Sequence, residues 1–189
     1  MNMIKKENIP NLLTLARIVM IPVFILVLVF WNNMTGHIVA AAIFAIASIT
    51  DYLDGYLARR WKVVTNFGKF ADPLADKMLV MTAFIMLVAM NMVPAWIAAI
   101  IVCRELAVTG LRLLLVENGG TVLAAEMPGK IKTFTQMFSI IFLLCHFTLI
   151  GTILLYVALI FTIYSGYDYF RKAGFLFEDT FKWHQIALT

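Results

Sequence analysis

Six apolar runs, at 12–31, 37–58, 73–92, 94–116, 131–147 and 149–167, take up most of this 189-residue chain. Each has about the 20 residues that a helix needs to cross the hydrocarbon core of a bilayer. With 62% hydrophobic and 14% charged residues, the chain lies far outside the composition of soluble domains. Six helices of this length leave no room for a separate soluble domain. The predicted architecture is therefore an all-α integral membrane protein with six transmembrane helices. It forms one membrane-embedded domain over 1–189: an interfacial N-terminus at 1–11, a six-helix bundle at 12–172 and a tail at 173–189. The first run is followed by Trp31-Asn32-Asn33-Met34 and not by a small-residue cleavage site, which marks a retained helix and not a signal peptide.

The cations alternate in sidedness. Lys5 and Lys6, then Arg59, Arg60, Lys62 and Lys69, then Lys130 and Lys132, and finally Arg171 and Lys172 all fall at one end of the runs. The opposite loops, near 32–36, 91–94 and 148–151, carry no Lys or Arg. By the positive-inside rule both termini and the loop after the second run face the cytoplasm, in a multi-pass protein of the cell membrane. The formal charge of +4 is then concentrated on one face, which favours anionic membrane lipids as neighbours and speaks against a nucleic acid partner. The longest polar connection is predicted at 117–130, closed by the turn signal Pro128-Gly129. Cys103 and Cys145 have no partners at metal-ligand spacing and are expected to pack in the core. His37, His146 and His184 are expected to be isolated from one another and to carry no catalysis.

Within this apolar background the segment from Asp51 to Asp76 stands apart. Asp51, Asp54, Gly55, Ala58, Arg59, Gly68, Asp72 and Asp76 spell D-x2-D-G-x2-A-R-x8-G-x3-D-x3-D. Positions three and four apart share a helix face, so Asp51 and Asp54 project together from one helix and Asp72 and Asp76 from the next. Four converging carboxylates repel one another unless cations lie between them. With no His or Cys in the set, Mg²⁺ or Mn²⁺ is favoured over Zn²⁺, and four carboxylates suffice for two ions engaged in phosphoryl chemistry. Gly55 and Gly68 leave space for a bulky ligand beside the backbone, and Arg59 offers a forked donor to a phosphate oxygen. At ~1.5 Å per helical residue Asp51 lies about 12 Å inward of Arg59, just beneath the cytoplasmic surface. A solvated turn would account for any single aspartate but not for the set, because acids inside apolar segments are costly. A metal-ion transporter also uses intramembrane acids, but near the bilayer midplane and often on broken helices. Here they gather at the cytoplasmic end of one helix pair. No Ser, Cys or His is arranged for a covalent intermediate, so direct in-line attack is expected.

A second set of cations is separate from the acids. Arg104 lies near the middle of the fourth run and Arg112 eight residues further along, about 80° apart around a helix. Lys130 and Lys132 open the fifth run. Together they predict a pocket for an anionic acceptor. An internal ion pair of Arg104 with Glu105 or a motif aspartate, and ordinary positive-inside topology for the two lysines, are the competing explanations.

The eight motif positions match the signature of the CDP-alcohol phosphotransferases without a mismatch, so the chain resembles that family. Three flanking segments are similar to the bacterial phosphatidylglycerophosphate synthases within it. They are Asn8-Ile9-Pro10-Asn11-Leu12-Leu13-Thr14 with Arg17, Arg104-Glu105-Leu106-Ala107-Val108-Thr109-Gly110-Leu111-Arg112, and Gly129-Lys130-Ile131-Lys132-Thr133 with Gln136. The similarity runs from about Asn8 to Tyr169. It implies the CDP-alcohol phosphotransferase fold, a homodimer, and CDP-diacylglycerol and glycerol 3-phosphate as substrates, with transfer of the phosphatidyl group to the acceptor hydroxyl. It assigns Asp51, Asp54 and Asp72 chiefly to metal and gives Asp76 a further role as the base. It also places Gly55, Ala58, Arg59, Gly68, Asn11 and Thr14 around the CDP-lipid. Phosphatidylglycerol, inositol phosphate or serine as acceptor would use the same metal site.

Overall fold

The computed structural model describes the backbone of residues 9–61, 66–117 and 127–172, and the side chains of residues 15–50, 77–112 and 127–171. Across these residues the chain forms helices and no strand. They are α1 (Ile9–Phe30), α2 (Met34–Trp61), α3 (Asn66–Ala89), α4 (Ala95–Glu117), α5 (Met127–Leu144) and α6 (Thr148–Lys172). Each coincides with one apolar run, but α3 begins seven residues before its run and α6 ends five residues after its own. An apolar run marks only the part of a helix that suits hydrocarbon, and the backbone continues its hydrogen bonding into the polar motif. Pro128 and Gly129, expected to form a turn, lie in the first turn of α5, where a missing proline N–H costs no intrahelical bond.

The helix ends are locally encoded. Asn33 caps α2 through Oδ1, which accepts the Gly36 N–H at 2.8 Å, the usual N-cap bond. α3 and α5 both end in Schellman motifs. Asn91 (φ 56°) and His146 (φ 62°) occupy the left-handed position, with Met92 N–H bonded to Leu87 O and Phe147 N–H to Phe142 O, each at 2.9 Å. Gly36 is demanded by space: a Cβ there would lie 1.8 Å from the Trp31 carbonyl oxygen. Because that obstacle is backbone, Gly36→Ala is expected to cost about 1–3 kcal/mol, as overpacking does, seen as a lowered midpoint of thermal unfolding in detergent. An unchanged midpoint would show that the α1–α2 turn can open without loss.

α5 and α6 form the most extensive helix pair, α1 packs on α2 and α3, and α4 joins through α3 and α6. The core takes Phe24 from α1, Phe44 from α2, Phe84 from α3, Ile101 from α4, Ile140 from α5 and Leu155 from α6, all essentially inaccessible. The α5–α6 contact is close because Gly151 faces Leu143, whose Cγ would lie 2.7 Å from an added Cβ. There Ser139 Oγ donates to the Gly151 carbonyl at 2.9 Å, and Gln136 Nε2 donates to Thr162 Oγ1 at 3.3 Å. Small residues and interhelical polar bonds of this kind hold helices together where burial of apolar surface gives no drive.

The outward faces are apolar as well: Val19, Ile49, Ile85, Leu106, Leu149 and Ile160 are all exposed. Among the described residues, the stretch Thr148–Arg171 is long and apolar enough by itself to cross a membrane, with 24 residues and a mean hydropathy of 2.0. Leu15–Phe30, Met34–Thr50 and Lys77–Ala89 are shorter apolar helical stretches.

Two expectations are corrected. Cys103 is exposed on α4 and not packed in the core, whereas Cys145 is half-buried against it. His37 and His146 are not isolated from each other, because the α1–α2 and α5–α6 turns meet at one end of the bundle. His37 Nδ1 lies 2.7 Å from His146 Nε2, and His37 Nε2 lies 3.2 Å from Asn32 Oδ1. An amide oxygen only accepts, so His37 carries its proton on Nε2 and accepts from His146 on Nδ1. The ring centroids are 5.0 Å apart with planes inclined by 17°, the separation that two ring radii and the N···N contact add up to. The rings therefore meet edge to edge. His184 lies outside the described residues.

Candidate active site

Helical backbone runs unbroken through Asp51, Asp54, Gly55, Ala58 and Arg59 on α2, and through Gly68, Asp72 and Asp76 on α3. The two acidic pairs thus stand at i,i+3 and i,i+4 on real helices, each pair on one face. Asn11 and Thr14 lie in the first turns of α1. The side chains of all ten residues lie outside the described residues. Among the described residues no three His, Cys, Asp or Glu side chains come together, so the metal expectation rests on the four aspartates alone.

The cations expected to bind the acceptor are described, and they converge on a carboxylate. Glu105, buried on α4, receives Lys77 Nζ from α3 on Oε2 at 2.8 Å and Lys132 Nζ from α5 on Oε1. Arg104 Nη1 lies 3.3 Å from the same Oε1, so the internal pair weighed as a competing explanation is present. Arg104 Nη2 donates to Ser165 Oγ of α6 at 2.8 Å, and its buried Nε has no hydrogen-bond partner among the described residues. Lys132 is buried like Glu105 itself, at 4% and 6% exposure. Charges at such depth persist only when paired and hydrogen-bonded. Among the described residues three cations meet one carboxylate and leave two positive charges over, more than a closed one-to-one ion pair carries.

Arg112, two turns beyond Arg104, points to α6. Its Nε donates to Tyr169 Oη at 2.9 Å, and its guanidinium carbon lies 5.0 Å from the centre of that ring, within cation–π range. Lys130 is exposed at the start of α5. The structure therefore brings Arg104 and Lys132 together on Glu105, sets Arg112 on the Tyr169 side of the same helix, and leaves Lys130 at the surface. Sequence reasoning named Glu105 only as a competing partner for Arg104 and did not name Lys77 at all. The available signal was a carboxylate in the middle of an apolar run, costly unless matched.

A family model described as CDP-alcohol phosphatidyltransferase matches residues 7–164. The chain belongs to the CDP-alcohol phosphatidyltransferase family. It is 46% identical to the CDP-diacylglycerol–glycerol-3-phosphate 3-phosphatidyltransferase of Bacillus subtilis (strain 168), over 87% of this chain and 94% of the relative. A protein of the same description from Rickettsia typhi is 41% identical over 87% of this chain and 96% of its own length. A probable phosphatidylglycerophosphate synthase of Mycobacterium tuberculosis (strain CDC 1551 / Oshkosh) is 41% identical, over 88% and 81%.

Proposed function

We propose that this chain transfers the phosphatidyl group of CDP-diacylglycerol to sn-glycerol 3-phosphate, giving phosphatidylglycerol phosphate and CMP. The observation that carries this reading is the surplus of positive charge that half-buried Lys77 and Arg104 and buried Lys132 place around Glu105 among the described residues, in a chain whose relatives are named for that same acceptor. In the reaction the free primary hydroxyl of glycerol 3-phosphate attacks the lipid-side phosphorus in line. The new P–O bond forms as the bond to CMP breaks, and the hydroxyl proton passes to Asp76. Asp51, Asp54, Asp72 and Asp76, paired at helical spacing on α2 and α3, fit a set of hard oxygen ligands for two Mg²⁺ or Mn²⁺ ions. When bound, these ions supply neutralisation of the pyrophosphate charge. Arg59 binds a phosphate oxygen of the CDP-lipid, Gly55, Ala58 and Gly68 let it approach the α2 and α3 backbones, and Asn11 and Thr14 close the site from α1. Arg104, Arg112, Lys130 and Lys132 take the acceptor phosphate.

This reading includes six membrane-spanning helices forming one domain, with the N-terminal segment 1–11, the tail 173–189 and the active site on the cytoplasmic side of the cell membrane. The apolar outer faces of the described helices support it. It also includes a homodimer, as the family resemblance implies. The acyl chains stay in the bilayer while the reacting groups meet the soluble acceptor at its surface. CMP release from CDP-diacylglycerol by the purified protein should depend on added glycerol 3-phosphate and on Mg²⁺ or Mn²⁺. Release without acceptor would instead indicate hydrolysis.

The acceptor assignment makes its own prediction. Losing a charged donor to a bound phosphate costs on the order of 1.5–3 kcal/mol, so Arg112→Ala should raise the KM for glycerol 3-phosphate roughly tenfold or more. The KM for CDP-diacylglycerol should change much less. The reverse pattern would place Arg112 in the donor site.

A further inference from the structure

Glu105 joins three helices through one carboxylate. Lys77 of α3 and Lys132 of α5 lie on its two oxygens, and Arg104 of α4 turns its guanidinium to the oxygen that Lys132 uses. Lys132 has no other polar partner among the contacts described, so Glu105 both keeps the buried ammonium ionised and sets its direction. Arg104 is held from the far side as well, by Ser165 Oγ at 2.8 Å and by Gly166, where a Cβ would lie 3.3 Å from Arg104 Cγ. Lys77 directly follows Asp76 in the chain. The carboxylate that aligns the acceptor cations thus also fixes the α3 turn that carries the base.

We propose that Glu105 is the positioning residue of the acceptor pocket, aligning Lys132 and Arg104 for a phosphate monoester and, through Lys77, holding the α3 turn of Asp76. This role rests on the reading of Arg104 and Lys132 as acceptor-phosphate groups. The sign of the charge fits it: among the described residues the cluster on Glu105 stays net positive, complementary to the roughly −1.5 to −2 charge of a phosphate monoester near neutral pH. A neutral polyol acceptor would leave the positive charge unmatched. An additional cation in the pocket would serve as well electrostatically, but it could not orient Lys132.

The test is steady-state kinetics of the full-length enzyme in detergent, varying each substrate separately. Glu105→Gln is expected to raise the KM for glycerol 3-phosphate about tenfold or more and to lower kcat, with the KM for CDP-diacylglycerol within about twofold. Glu105→Asp should recover part of both losses. Since Glu105 acts in large part through Lys132, the double variant Glu105→Gln/Lys132→Ala should raise the glycerol 3-phosphate KM by less than the product of the two single effects, the non-additivity of partners in one network. A merely structural role predicts a different result, in which both KM values and the thermal midpoint shift together and the two substitutions multiply, and that result overturns the proposal. If Glu105→Gln does not fold, Lys77→Met cuts only the α3 arm. It should lower kcat, and it should raise the KM for glycerol 3-phosphate less than Lys132→Ala does, because Lys77 adds charge to the pocket but is not aimed at the phosphate; an unchanged kcat overturns the proposal. Wild-type enzyme assayed in parallel separates the two levels. Turnover with glycerol 3-phosphate alongside an unaffected Glu105→Gln refutes only the role of Glu105, whereas wild-type turnover only with another acceptor refutes the reading of the pocket beneath it.

Discussion

Single replacement of Asp51, Asp54 or Asp72 by Asn is expected to lower turnover by at least on the order of 10²–10³, the scale of removing one element of transition-state charge stabilisation. An amide has nearly the volume of a carboxylate, so α2 and α3 should form and insert as before. It lacks the charge, so a hard divalent ion loses one of few anionic ligands and the remaining aspartates hold it less tightly. Residual activity should therefore require more Mg²⁺ or Mn²⁺ than the wild type. Kinetics across a metal titration, with circular dichroism in detergent to establish helix content, check both parts. Wild-type rates at low Mg²⁺ in two of the three variants would refute the assignment.

Asp76→Asn is expected to lose rate by about 10²–10⁴, the range of general base catalysis, while retaining most of its affinity for CDP-diacylglycerol. The distinction follows from where the residue acts. Asp72 and Asp76 share an α3 face, and under the proposed assignment three of the four carboxylates would remain to hold the ions that engage the pyrophosphate. Only the acceptor hydroxyl loses its proton acceptor. Direct binding of a CDP-lipid, measured beside single-turnover rates, separates the two. Loss of binding together with rate would make Asp76 a ligand or structural residue and not the base.

Much of the fold was readable because a long helix that is apolar on most faces leaves an unmistakable run of apolar residues. The limits of α4, Ala95–Glu117, agree with the run at 94–116 almost to the residue. The limits of α3 and α6 do not, since nothing in hydropathy distinguishes a helix that ends from one that continues into polar sequence. The rotation of the helices was not legible for a related reason. When outward and inward faces are both apolar, as with exposed Leu106 and buried Ile101 on α4, no amphipathic stripe marks the core side. Cys103 was misread on that account.

The candidate site divides along the same line. Each acidic pair was legible because its spacing follows one helical period, so local geometry alone sets Asp51 with Asp54 on one face of α2 and Asp72 with Asp76 on one face of α3. The Glu105 cluster joins residues 27 and 28 positions apart, and the His37–His146 contact spans 109 positions. Both depend on how helices pack. Arg104 and Glu105 are neighbours in sequence, and adjacent helical residues face different directions. Their shared role appears only once α3 and α5 bring Lys77 and Lys132 to the same carboxylate.

The identity of the acceptor is decided by presenting the purified enzyme with CDP-diacylglycerol and an equimolar mixture of glycerol 3-phosphate, phosphatidylglycerol, inositol phosphate and serine. The lipid products are then identified by mass. Phosphatidylglycerol phosphate should be the dominant product, formed in step with CMP. Cardiolipin, phosphatidylinositol phosphate or phosphatidylserine as the dominant product would contradict the proposed acceptor.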